Sequence, residues 1–316
     1  MTRTTARTAG DSASRGARAR AITPELDAAE ALSRVHGPLE LQAAVLALLV
    51  PHGNARAARA WQVETEATPG AARIAELVAQ LAAMSRLAWF ERLLERLRSQ
   101  PLAVRQGLLK ATRRVMGASD AVRPIDRLHW LAMRRRLGEA SGTELAAHPR
   151  VAGARAGPFT STLSPALRLR EPMLDAGLGG DLSDLPDSAV RALGIYSAFL
   201  SRLVPVEAAE PTEAGTAWYA TATSAWRDRE ALPACRPVDA DALVHALYEL
   251  QALPWMQRPV LVRNWVDAAL AHRPHGNARL TDAAADALRL SCGLLDSPLP
   301  PGLERHYSGA IAEDGS

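Results

Sequence analysis

Residues 74–97, IAELVAQLAAMSRLAWFERLLERL, decide the fold. Ile74, Leu77, Val78, Leu81 and Met84 recur at spacings of three and four, and Leu87, Phe90, Leu93, Leu94 and Leu97 repeat the rule. That period is the 3.6 residues of a helical turn, not the two-residue alternation of a strand.

The same spacing extends outward in both directions. Thr23-Pro24 opens a first helix, with Thr as N-cap and Pro at the first helical position. Further helices are expected at about 39–50, 55–65, 101–115 and 124–138, and then at 187–203, 212–227, 239–250, 255–270 and 281–295. Residues 139–186 are broken by repeated Gly and Pro and read as a linker, while 1–22 and 308–316 lack the large apolar groups that offset ordering entropy. The expected architecture is all-α: a basic disordered tail (1–22), a helical bundle (23–138), a Pro/Gly-rich middle segment (139–186), a second helical bundle (187–307) and a short disordered end (308–316).

Composition agrees with helices. Ala and Leu dominate, aromatic residues are only 4%, and no segment alternates like a strand. Lys110 is the single lysine beside 36 arginines, a bias that a GC-rich bacterial genome produces. The net charge is only +3, but 13 basic residues face four acidic ones between Arg86 and Arg136, leaving 24 basic against 30 acidic elsewhere. A basic segment in an acidic remainder suits an anionic partner or a solvated helix face. Within it, Arg134, Arg135 and Arg136 are the least compensated, and Arg92, Arg96 and Arg113 add to the candidate patch. Trp89 and Trp130 offer stacking surfaces beside them.

No pattern marks catalysis. No histidine precedes Glu, so the HExxH zinc motif is absent, as is the Gly-x-Ser-x-Gly nucleophile turn. Asp241 and His245 share a helix face without further ligands at metal-site spacing. Cys235 and Cys292 are isolated, which fits a reducing compartment, and no apolar run reaches the roughly 20 residues of a membrane span. The cytoplasm is the expected location; no cofactor, metal ligand or catalytic residue is expected.

One motif recurs letter for letter: PHGNAR at 51–56 and again at 274–279, each after an apolar helix. Gly and Asn stop helices by taking a left-handed backbone, so turn chemistry explains both copies.

Two sets of segments carry a family resemblance. RLAWFERLL (86–94), PLAVRQGLLKA (101–111) and VMGASDAVRPID (115–126) form the first; PVLVRNWVDAAL (259–270), RLTDAAADALRL (279–290) and LLDSPLPP (294–301) form the second. Both resemble the helical module of tellurite-resistance (TerB-like) domains, and the cytosolic helical tail of bacterial membrane zinc peptidases of the CAAX-prenyl-protease type. The resemblance implies an accessory, envelope- or stress-related role. The acidic loop of that pattern has lost carboxylates here, with Asp120, Asp126 and Asp282 remaining, and the peptidase half has no counterpart. Neither metal binding nor catalysis transfers.

The sequence therefore reads as a non-enzymatic, soluble helical protein that binds a partner protein. Trp255 and Met256, with Leu253 beside them, are the expected exposed anchor, because aromatic and Met side chains favour contacts. Two other readings stand beside it: a nucleic-acid or anionic-surface binder using the Arg86–Arg136 segment, and an enzyme of unrecognised type.

Overall fold

The computed structural model describes residues 24–119, 121–138, 182, 184–273 and 279–312, with side chains to 307. Every regular element among them is helical. In the first group α1 spans 24–33, followed by α2 (Pro38–Leu49), α3 (Ala55–Glu64), α4 (Ala71–Gln80), α5 (Ala83–Arg98), α6 (Leu102–Gly117) and α7 (Pro124–Leu137). The second group comprises α8 (Asp187–Leu200), α9 (Glu213–Ala222), α10 (Ala240–Gln251), α11 (Gln257–Ala271), α12 (Asp282–Leu294) and α13 (Pro301–Ala312), with one 3-10 turn at Ser224–Trp226.

Side chains fix the helix starts. Asn54, Thr212, Asp239 and Thr281 each cap a helix by accepting the backbone N–H three residues on. At α7, Pro124 sits at the first position, and the buried Asp126 carboxylate accepts both the backbone N–H of Arg123 (3.1 Å) and its guanidinium (2.6 Å).

The two stripes of 74–97 are two helices, but the break falls before Met84 rather than after it. Leu81 and Ala82 are extended, and Met84 belongs to α5. Glu25 of α1 supplies the cap that Ala82 lacks: its Oε1 accepts the Ala82 N–H (3.2 Å) and the Ser85 hydroxyl (2.6 Å). A long-range contact sets this boundary. Arg86, just beyond the break, donates to the carbonyls of Val78 (3.1 Å) and Leu48 (3.2 Å), closing the C-terminal ends of α4 and α2 together.

In the first group α2 is nearly all apolar and is enclosed by α4, α5 and α6. The second group is built on aromatic residues. Trp265 stacks on Tyr196 with ring centres 5.2 Å apart, and its indole N–H donates to Ser197 (2.9 Å). Trp218 and Trp226 are also wholly buried, Trp226 donating to the Leu182 carbonyl (2.8 Å). Leu182 and Leu185 are core residues, so ordered packing begins before 187 and takes in the end of the expected linker. At the other end α13, which no pattern announced, starts inside the expected second bundle and runs on into the expected tail as far as Ala312. The expected disorder of 1–22, and the body of the 139–186 linker, lie outside the described residues.

The two groups share one continuous apolar core. α12 packs along α7 and touches α5, and this seam carries a line of charged side chains.

Candidate interaction surface

Charged groups line the seam. Glu91 on α5 accepts both Nε (3.0 Å) and Nη2 (2.8 Å) of Arg289 on α12, and Arg136 on α7 approaches the same carboxylate at 4.0 Å. At the C-terminal end of α12, Asp296 takes Arg135 of α7 and Arg258 of α11 (3.4 Å) on one carboxylate oxygen. Arg258 is held in place by the Leu253 carbonyl, which its Nε reaches at 3.0 Å.

These pairs border a cleft of about 800 Å³ between α5, α7 and α12. Arg92, Arg96, Arg98, Arg135 and Arg136 line it, together with Glu91, Glu95 and Asp296. Four of the six arginines singled out in the sequence therefore converge on one place. Arg134 and Arg113 do not line it. Arg134 is half-buried, and Arg113 lies over the Trp130 ring, 4.7 Å from its centre, because α6 and α7 pack side by side. The local balance also differs from the expectation. Arg135 and Arg136 are paired, whereas Arg92 and Arg96 have no carboxylate partner among the described residues. Arg92 covers the face of Trp89 at 4.9 Å, and Arg96 donates to the Val35 carbonyl. Trp89 is buried, so neither indole of the basic segment presents a free face.

The anchor residues divide as well. Trp255 is 76% exposed and Met256 43%, but Leu253 is only 5% exposed. Leu253 belongs to the core because it closes the turn between α10 and α11, where its backbone carbonyl holds Arg258. Two further exposed apolar residues lie on the same pair of helices and were missed in the sequence. Tyr248, near the end of α10, is exposed, and Val260 lies one turn beyond Met256 on α11. The signal for Val260 was legible: an apolar residue four positions past Met256 continues the same helix face. Asp296 of the cleft rim also holds Arg258, in the first turn of α11, the helix whose start carries Trp255 and Met256.

A second polar group ties α13 to α12. Tyr307 of α13 donates to Asp286 of α12 at 2.8 Å, and Arg289 lies over the Tyr307 ring at 4.6 Å. Burial raises the Asp286 carboxyl to about 7, with Asp282 and Glu91 adding to the rise against Tyr307 and Arg289. Burial lowers His129, edge-on to Phe90, to about 4. Burial also pushes the Cys292 thiol up to about 12, which leaves it a poor nucleophile. Both cysteines are free thiols.

The first PHGNAR copy forms the turn between α2 and α3. Gly53 is left-handed (φ 75°), and Asn54 caps α3 through Ala57 N–H (2.9 Å) while donating to Ser119 (3.2 Å). The second copy lies outside the described residues apart from Arg279. Asp120 of the acidic loop is also outside them, and Asp126 is committed to Arg123. Among the described residues no three His, Cys, Asp or Glu side chains come together to hold a metal, and no helix is long and apolar enough to cross a membrane.

No protein-family model, curated protein or solved structure matches this chain.

Proposed function

We propose that the protein is a non-catalytic helical module that binds another protein through the apolar surface of Tyr248, Trp255, Met256 and Val260. The observation that carries this reading is the exposure of Trp255 and Met256 at the start of α11, with Val260 exposed one turn further along that helix and Tyr248 exposed near the end of α10. An indole left in water forgoes a large burial free energy, and aromatic and Met groups are the side chains enriched at protein contacts. The fold supplies a rigid mount, since Leu253 and Arg258 fix the turn that carries the pair. The likeness of two sets of segments to accessory helical modules supports a binding role. So does the commitment of Asp286, Tyr307, Glu91 and Arg289 to holding α5, α12 and α13 together.

A photo-crosslinking amino acid placed at Trp255, in cells of the source organism, tests the reading. Val63, an exposed apolar residue on α3, is the control position. Discrete adducts at 255 and none at 63 are expected. The same adduct pattern at both positions would sink the proposal.

A further inference from the structure

We propose that the segment received by this surface is acidic as well as apolar, and that Arg92 and Arg96 of α5 are the residues that read its charge. The inference rests on the protein-binding role proposed above and adds the chemistry of the partner.

The cleft holds more guanidinium than carboxylate. Glu91 serves Arg289 and Arg136, Asp296 serves Arg135 and Arg258, and Glu95 serves Arg98 at 3.3 Å. Every carboxylate of the cleft is thus taken, and Arg92 and Arg96 are left without one. Their present contacts, an aromatic face and a single carbonyl, leave most of five N–H donors per guanidinium unused. The two stand four positions apart on one helix, which places them side by side about 5–6 Å apart at Cβ. Two carboxylates at the same spacing on a partner helix, or on alternate residues of an extended segment, match that interval. Asp296 at the cleft rim contacts Arg258 of α11, the helix that begins beside Trp255 and Met256, so a segment carrying acids and large apolar groups is the occupant whose chemistry matches both places.

Nucleic acid fits the same charge less well. Three carboxylates stand in the cleft where a phosphate backbone would run. The indoles of the basic segment are covered, Trp89 by Arg92 and Trp130 by Arg113, so they offer no platform for bases.

The test uses the full chain and three fluorescent probes: a short peptide with Leu, Phe and paired Glu residues, its twin with Gln at every Glu, and a single-stranded oligonucleotide. Anisotropy is read at about 50 and about 200 mM salt, across which a phosphate-binding protein loses affinity steeply. The acidic peptide is expected to bind roughly tenfold tighter than its Gln twin at the lower salt, a preference that two exposed ion pairs can supply. Arg92→Gln with Arg96→Gln abolishes the preference, whereas Arg96→Lys retains it and shows that charge, not folding, is read. Trp255→Ala weakens both peptides by the same factor.

Equal binding of the two peptides, with Trp255→Ala still weakening both, overturns the acidic partner and leaves the apolar surface standing. An acidic preference that survives loss of both arginines also overturns it. So does displacement of the acidic peptide by an equal concentration of oligonucleotide. Binding of both peptides that ignores Trp255→Ala removes the apolar reading and this inference together.

Discussion

Glu91 and Arg289, 198 residues apart in the chain, form a two-pronged ion pair on one carboxylate oxygen across the seam between the helical groups. Both side chains are largely shielded from solvent. Arg136 shares the carboxylate, so removing it leaves two guanidinium groups short of an anion, whereas removing Arg289 leaves Glu91 with Arg136. Glu91→Gln is therefore expected to cost more than Arg289→Gln, about 2 against about 1 kcal/mol, since breaking a shielded pair exposes the uncompensated partner. Urea unfolding of both single variants and the double variant measures this. Additive effects with no coupling would show the pair to be incidental.

Stability against pH should be flatter in the natural protein than in two of its variants. Asp286 is raised to about 7, so the folded state holds its proton more tightly, and its contribution is lost as pH rises from about 4 to about 7. His129 is lowered to about 4, so the folded state prefers it neutral, and its contribution is lost as pH falls from about 6.5 to about 4. The two slopes oppose each other over nearly the same window. Asp286→Asn is expected to leave a stability that rises with pH, and His129→Leu one that falls, each by about 1–2 kcal/mol after allowance for partial solvent contact. Unfolding midpoints at pH 4.5, 5.5, 6.5 and 7.5 decide it. Parallel profiles in both variants would show that neither group titrates as stated.

Asp296 closes α12 in a left-handed conformation, φ 51°, the only positive φ on a non-glycine among the described residues. The Ser297 N–H returns to the Cys292 carbonyl at 2.9 Å, the bond that completes a Schellman end. Asp296→Ala and Asp296→Gly both delete the carboxylate that joins Arg135 to Arg258. Only Ala keeps the steric penalty of that backbone, so the Gly variant should be more stable than the Ala variant by about 1 kcal/mol. Thermal or urea unfolding of the two variants reads the difference directly. Equal stability would remove the backbone from the account.

The helices were legible because their apolar spacing is strong and their caps are local. Pro124, Asp239 and Thr281 each announce a start within three residues. The break at Leu81–Ala82 was not legible, because its cap is Glu25, 57 residues earlier. α13 hid for a related reason. Pro301 and Gly302 read as a turn, and Leu303 is the one apolar residue of its first turn that is fully buried. For the surface, composition located the basic segment but not its sorting. Nothing local to Arg135 or Glu91 reveals that Asp296 and Arg289 neutralise them from more than 150 residues away, which is what leaves Arg92 and Arg96 as the unmatched pair.

Leu253 and Trp255, two positions apart, should give opposite results when truncated. Leu253 is enclosed at the α10–α11 turn, so Leu253→Ala opens a cavity while keeping the backbone carbonyl that Arg258 reaches. A loss of about 2–4 kcal/mol is expected for a core leucine. Trp255 projects into water, and Trp255→Ala should change stability by no more than about 0.5 kcal/mol, as exposed positions generally do. If Trp255 is kept for contact rather than for folding, its removal abolishes crosslinking or peptide binding while the unfolding midpoint stays fixed. Should Trp255→Ala instead destabilise the fold as much as Leu253→Ala, the indole packs against its own chain and the apolar surface is no docking site.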